Sequence, residues 1–374
     1  MKELHDIFSR LQAARRAGER FALATLVKVQ GSSYRRIGAK MLVTESGKSV
    51  GAISGGCLEN DVQKKCLLAM QISQSLLSVY DSIDEEHPQA GFGLGCNGVI
   101  TVLIEPSTLP TLNARLAHYE NFLHTQQPTT LATIYSAEGE LKSEIGKTLG
   151  LTQAQDPISN IGHCGLAQVL CKEVQDALAQ RCTTYKQYHV AHGAVEVLIE
   201  TLLPPIHLVI LGAGYDAVPL VKMAKELSWR VSIIDYRASH LMRERFAAAD
   251  KLILAKASDL TTLTLEREYT AAVLLSHNFE YDLAALAKLL PLQLPYLGVL
   301  GPKRRTEKLL AELQKRQFDY SHLLENLYAP IGLDIGAELP EEIALAILAE
   351  IKAVMTRRKG SFLRERKAPI HETR

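Results

Sequence analysis

Two cysteines lie in glycine-rich turns: Cys57 in VGAISGGCLEND, residues 50–61, and Cys96 in GFGLGCNG, residues 91–98. A glycine turn that runs into a helix exposes backbone N–H groups and makes an anion site. The same helix start favours the thiolate form of a cysteine. Gly55, Gly56 and Cys57 therefore read as a reactive or metal-binding thiol beside a bound anion. Cys96, after Gly95, supplies a second soft ligand or a resolving thiol, and soft thiolates suit soft or sulfur-loving centres. The loop QGSSYRRIGAK adds Ser32, Ser33, Arg35 and Arg36, whose hydroxyl and guanidinium groups suit a phosphate.

A free cysteine is also a common small core residue. Cys66 reads that way, because the helical rotation from Cys57 turns it to the opposite side. His163 beside Cys164 has no base or nucleophile pattern around it, so a structural role is expected there. The six cysteines form no CxxC pair, which argues against a zinc ribbon or a thioredoxin-type motif.

A second constellation follows the strand HLVIL. Gly212, Gly214 and Ala217 fit G-x-G-x-x-A, with a helix after them and Asp235 closing the next strand. The first glycine permits the tight turn, the second lets backbone approach a pyrophosphate, and the small third residue seats the helix on the sheet. Asp235 stands where a carboxylate accepts hydrogen bonds from a ribose. The context predicts a Rossmann fold; it leaves open NAD(P), another nucleotide, or a purely structural domain.

These residues must be positioned by regular elements. Residues 3–18 have helical spacing, FALATLVKV reads as a strand, and MLVTESGKSVGAI reads as a hairpin turning at Ser46-Gly47. A helix is expected from about Leu58 to Leu77, and a strand at GVITVLIEP, residues 98–106. The pattern then repeats. LATLVKVQGSSYRRIGAKMLVT from Leu23 matches LATIYSAEGELKSEIGKTLGLT from Leu131 without gaps, and GVITVLIEP resembles GAVEVLIET, residues 193–201. Matches in the same order at both ends indicate a duplication. Against ISGGC the second copy has NIGHC, and it has nothing to set against GFGLGCNG. It reads as a structural echo with a degraded site.

The fold class expected is α/β: a C-terminal Rossmann-type parallel sheet preceded by a smaller α/β domain with a duplicated unit. Boundaries fall at 1–106 for the domain with the Cys57/Cys96 site, 107–203 for the degenerate copy, 204–356 for the Rossmann-like domain, and 357–374 for a basic, disordered tail. The last helix starts at Pro340, with Glu341 and Glu342 on its N-terminal dipole. A formal net charge of +1 supplies no global basic field for nucleic acid. The longest apolar run, LLPLQLPYLGVLG, is short for a membrane span and broken by prolines. The first residues have no apolar core of the signal-peptide kind, so the cytoplasm is the expected location.

The stretches LATLVKVQGSSYRRIGAKMLV, VGAISGGCLENDV, GLGCNGVITVLIEP, VILGAGYDAVPLVKMAKEL, YLGVLGPKRRTEKLL and APIGLDIGAELPEEIALAILAEI resemble, in order, the XdhC/CoxI family of accessory proteins. They cover nearly the whole chain. The resemblance implies a chaperone that binds molybdenum cofactor, supports its sulfuration with a cysteine desulfurase, and inserts it into a xanthine dehydrogenase-type molybdenum hydroxylase. By motif, Gly55, Gly56, Cys57 and Cys96 carry the cofactor site, with Cys57 and Cys96 reaching the metal through the cofactor. Asn97 stands where the family usually has glycine, and Tyr215, followed by Asp216, where it usually has histidine. GPKRRT, residues 301–306, keeps the family's basic form and suits a phosphate. A homodimer is expected. The alternatives are an NAD(P)-dependent oxidoreductase, which lacks a convincing His, Lys or Tyr constellation here, and a scaffold that holds no cofactor.

Overall fold

The computed structural model describes residues 1–81, 98–152, 155–190, 193–262 and 267–367. The described chain forms two units, residues 1–204 and 205–367.

Unit 1 contains the duplication. The first copy runs α1 (Lys2–Ala17), β1 (Phe21–Gly31), β2 (Lys40–Thr44), β3 (Ser49–Gly51), α2 (Glu59–Ile72), β4 (Leu76–Asp81) and β5 (Gly98–Pro106). The second runs α3 (Pro110–Thr125), β6 (Thr129–Ala137), β7 (Thr148–Thr152), β8 (Gln155–Ser159), α4 (Cys164–Gln180), β9 (Thr184–Val190) and β10 (Gly193–Leu202). Each copy is a five-stranded antiparallel sheet, ordered β3-β2-β1-β5-β4 and β8-β7-β6-β10-β9. The sequence match extends to a defect. Val27 is the extra residue where β1 slips against β5, and Tyr135 is its counterpart where β6 slips against β10. A bulge re-aims the side chains around it. Here both bulge residues point into one buried cluster with Leu103 and Leu198, one pair from each copy.

The strands read as nearly continuous apolar runs because they are covered on both faces. In the first sheet Ala22, Ala24 and Leu26 pack with Val62, Cys66 and Ala69 of α2, while Leu23 and Leu42 pack with Ile7 and Leu11 of α1. α3 joins that second cluster through Leu112, Leu116 and Tyr119. The helix expected to reach Leu77 stops at Ile72. Ser73 takes a left-handed cap (φ 53°), and the chain turns into β4. The alternation in LLSVYD, with Ser78 and Tyr80 inward and Leu77 and Val79 outward, is the strand signal that the helical reading absorbed.

The two copies are also tied by charge. Lys40 of β2 pairs with Glu200 of β10, and the Tyr119 hydroxyl donates to the other Glu200 oxygen at 2.7 Å. All three side chains are buried. Glu105, the sequence counterpart of Glu200, pairs with buried Arg115.

Unit 2 runs β11 (His207–Leu211), α5 (Ala217–Glu226), β12 (Arg230–Asp235), β13 (Lys251–Leu254), β14 (Thr270–Leu274), α6 (Phe279–Leu289), β15 (Tyr296–Val299), α7 (Lys303–Lys315), β16 (Leu327–Tyr328) and α8 (Pro340–Met355). The six strands are parallel, in the order β13-β12-β11-β14-β15-β16. That is the 3-2-1-4-5-6 order of the Rossmann fold. Separate apolar clusters line its two faces, one with α5 and α8 and the other with α6 and α7. Pro340 occupies the first turn of α8, and Glu342 accepts from the N–H groups of Glu338 and Leu339 at 2.8 and 3.0 Å. Beyond α8, Arg358 N–H bonds Ala353 O and a short 3-10 turn spans Leu363–Glu365.

β11 opens on a histidine with a fixed tautomer. Arg230 Nη2 lies 3.2 Å from His207 Nδ1, and a guanidinium only donates, so Nδ1 accepts. His207 Nε2–H therefore donates to Ser232 Oγ at 2.8 Å. Burial, with Arg230 and Lys251 nearby, pushes the imidazole down to about 4. The unfolded chain takes up this proton near pH 6.5, and the folded chain resists until about pH 4. Stability should fall across that window as pH drops, by about 2–3 kcal/mol from this group. Urea denaturation at pH 7 and 4.5 should show a smaller acid loss for His207→Gln; an equal loss in both proteins contradicts the assignment.

Candidate functional site

The turn between β3 and α2 is organised by two side chains, Ser54 and Glu59. Glu59 Oε1 accepts the N–H groups of Ile53 and Ser54 at 3.1 and 2.7 Å. Its Oε2 accepts Leu58 N–H at 3.2 Å and the Ser54 hydroxyl at 2.7 Å. Ser54 Oγ in turn accepts from Gly56 and Leu58 N–H, each at 3.2 Å. Burial alone would raise the Glu59 carboxyl, but the bonds from Ser54 and the backbone outweigh it and hold the group below the usual carboxylate range. The backbone donors that flank the glycine pair, at Ile53, Ser54 and Leu58, are thus taken by Glu59, and Gly56 N–H is taken by Ser54. Glu59 sits in the first turn of α2, where a carboxylate commonly reaches back to free N–H groups. That was the available signal, and a motif reading centred on glycine and cysteine passes over it.

Cys57 is what the turn presents. Its side chain is exposed, with Sγ 3.4 Å from Ser54 Oγ. Gly56 adopts φ 118°, a conformation that L side chains rarely take. Gly55 has the ring of Tyr34 3.5 Å from the place a Cβ would occupy, so the Ser32–Gly38 loop lies against the cysteine turn through an aromatic face. Tyr34 is 70% exposed and was not singled out from sequence.

Arg35 of that loop is engaged within the protein. Arg35 is ion-paired with Glu3 of α1, whose other oxygen accepts Ala52 N–H at 3.4 Å. Arg35 therefore pins the loop to α1 and to the start of the cysteine turn. Arg36 is exposed. The backbone of Ser32 packs on Gly98, where an added Cβ would lie 2.3 Å from Ser32 O. Gly95 and Cys96 lie outside the described residues. Among the described residues no group of three His, Cys, Asp or Glu side chains is placed to hold a metal ion. Cys66 is fully buried, and burial pushes its thiol up to about 12.

In the second copy His163 caps α4, its Nδ1 accepting Leu166 N–H at 3.1 Å. Cys164 is exposed as the first residue of α4, and Gly162 N–H is taken by Glu144 at 2.9 Å.

The Rossmann turn is built as its glycines require. A Cβ on Gly212 (φ 121°) would lie 2.5 Å from Leu275 backbone, and Ala217 is buried under the first turn of α5. The expected ligand contacts are nevertheless taken. Asp235 accepts Ala213 N–H at 2.8 Å, Arg237 N–H at 2.9 Å and two bonds from the Arg237 guanidinium at 3.0 and 2.9 Å. Burial opposes the charge, yet these bonds hold the carboxyl below its usual range. A carboxylate offers about four acceptor positions, so none is left for a ribose. In GPKRRT, Arg305 is bound to buried Asp282 at 2.7 Å. The model of the XdhC and CoxI family matches residues 14–81, and that of the XdhC Rossmann domain matches residues 208–351. A Bacillus subtilis (strain 168) protein, named as a probable subunit of xanthine dehydrogenase, is 33% identical over 348 residues, 91% of this chain and 94% of its own. The chain belongs to the XdhC and CoxI family.

Other relatives agree with this membership over most of the length. The molybdenum cofactor insertion chaperone PaoD of Escherichia coli (strain K12) is 23% identical over 338 residues, 90% of this chain and 84% of its own. A crystal structure described as a xanthine dehydrogenase from Bacillus halodurans superposes with a TM-score of 0.71 at 28% identity, covering 96% of this chain and 98% of that one. Within the family frame, Cys57 falls in the first matched segment, and the Rossmann turn in the second. All of the second copy lies between them. Among the described residues no helix is long and apolar enough to cross a membrane.

Proposed function

We propose that this protein is a maturation factor for a molybdenum hydroxylase of xanthine dehydrogenase type. It holds molybdenum cofactor as cargo, supports its sulfuration by a cysteine desulfurase, and hands it to the hydroxylase. The observation that carries this reading is Cys57: an exposed thiol on a turn that Glu59 and Ser54 hold rigid, with Tyr34 beside it. A soft sulfur donor fits the dithiolene and metal end of the cargo. The turn offers its phosphate few donors, because Glu59 takes the N–H groups of Ile53, Ser54 and Leu58 and Ser54 takes that of Gly56. In this reading Cys57 faces the metal-and-sulfur end and the phosphate is held elsewhere. The name of the PaoD relative points the same way.

Native mass spectrometry of the protein purified with its hydroxylase tests the reading. The expected result is a bound pterin–molybdenum mass that disappears in Cys57→Ser. A bound nicotinamide dinucleotide in its place would support the oxidoreductase alternative. A hydroxylase complex without any small molecule would support the scaffold.

A further inference from the structure

The turn before α2 connects three side chains: Glu59, Ser54 and Cys57. Ser54 Oγ lies 2.7 Å from Glu59 Oε2 and 3.4 Å from Cys57 Sγ. Ser54 is buried, whereas the sulfur that it meets belongs to an exposed residue.

A hydroxyl has one proton and two acceptor positions. Both acceptor positions of Ser54 are used, by the N–H groups of Gly56 and Leu58, each at 3.2 Å. Ser54 can therefore meet the sulfur only as a donor. It has a single proton for two acceptors, Glu59 and Cys57. A carboxylate takes that proton in preference to a neutral thiol, because hydrogen bonds to charged groups are the stronger ones. A sulfur that carries charge competes for it. Glu59 can release the hydroxyl, because its oxygens keep the N–H groups of Ile53, Ser54 and Leu58. Arg35 of the adjoining loop is paired with Glu3, so the donor at this sulfur is a hydroxyl and not that guanidinium.

We propose that Ser54 is a positioning residue for Cys57: its hydroxyl rests on Glu59 and turns to the sulfur when the sulfur becomes an anion. A hydrogen bond to the charged form of a group favours that form. The thiolate is both the nucleophile and the metal ligand, so the same donor serves either use of Cys57. The proposal deepens the reading of Cys57 as the functional sulfur and takes its purpose from that reading. The donor itself is tested without cofactor or hydroxylase.

Alkylation of the full chain by iodoacetamide at pH 7, with the Cys57 peptide quantified by mass spectrometry, measures the effect. Ser54→Ala should alkylate Cys57 about fivefold more slowly, the effect of one lost hydrogen bond. The variant should fold, because Leu58 N–H keeps Glu59 at 3.2 Å and Gly56 is exposed to water. Ser54→Thr retains the hydroxyl and should restore the rate. Cys164, also exposed, is the internal reference, and its rate should be the same in all three proteins. A purely structural Ser54 predicts a different outcome: losing its bonds loosens the turn, and a freer exposed thiol reacts no more slowly. Unchanged or faster alkylation of Cys57 in Ser54→Ala overturns the proposal, and so does a Ser54→Thr protein as slow as Ser54→Ala. If the rates follow the proposal while Cys57→Ser still activates the hydroxylase, the donor stands and only the cargo reading is lost.

Discussion

Cys57→Ser protein is expected to fold normally and to fail in activating its hydroxylase. Serine keeps the size of the side chain and the contact with Ser54 Oγ, now 3.4 Å from sulfur. Cys57 is exposed, and substitutions at such positions change stability by about 0.5 kcal/mol or less. What is lost is softness and nucleophilicity. Activation in a reconstitution with cofactor and apo-hydroxylase should fall by about tenfold or more, with the melting temperature unmoved. Cys66→Ser provides the contrast. That thiol is fully buried among Val62, Ala69 and Ile104, and a hydroxyl there without a partner costs about 1–3 kcal/mol. Its activation per folded molecule should be unchanged. If both variants lose activity in proportion to their melting temperatures, Cys57 is a packing residue; full activation by Cys57→Ser would falsify its role outright.

Glu200→Ala should produce a large loss of stability in unit 1. Two partners depend on that carboxylate, Lys40 and the Tyr119 hydroxyl, and all are buried. Burial pushes the Lys40 ammonium down from its ordinary range, with Glu200 opposing that effect. Removing Glu200 leaves the burial and deletes the opposition. Breaking a buried pair from one side costs about 3–5 kcal/mol. For a unit of this size that corresponds to a melting temperature lower by about 10 °C. The exposed pair Arg15–Glu120, at 2.7 Å, is the internal control: Glu120→Ala should cost less than about 1 kcal/mol. Replacing both partners, as Lys40→Met with Glu200→Leu, should recover most of the loss, because the pair contributes little net stability beyond well-packed apolar residues. Denaturant titrations of the four proteins decide the matter. A Glu200→Ala loss no larger than that of Glu120→Ala would show the cluster to be accessible to water.

The duplication was legible because it is written twice. Gapless matches from Leu23 and Leu131 imposed the same strand order on both copies, down to the bulges at Val27 and Tyr135. Strand β4 was missed because it follows α2 after a short turn, and its outward Leu77 and Val79 extend the apolar count of the helix. Only the left-handed cap at Ser73 separates the two periods, and serine is no strong marker of that conformation.

What the sequence by itself determined was local: the Rossmann turn of Gly212 and Gly214, the helix start after Cys57, and the apolar periods that select strands and helices. These depend on a few adjacent residues, whose backbone preferences act whatever surrounds them. What the tertiary structure decided was the state of each polar group. Sequence counted Arg35 as a phosphate donor and Asp235 as a ribose acceptor, and the fold pairs the first with Glu3 and the second with Arg237. Both glycine turns expose donors on paper, yet Glu59 and Ser54 take backbone donors around the first, and Asp216 Oδ1 lies against Gly214 in the second. A hydrogen bond or ion pair needs its partner within about 3 Å. Whether a donor meets a ligand or a side chain of its own protein is therefore settled by which residues the fold brings to that distance.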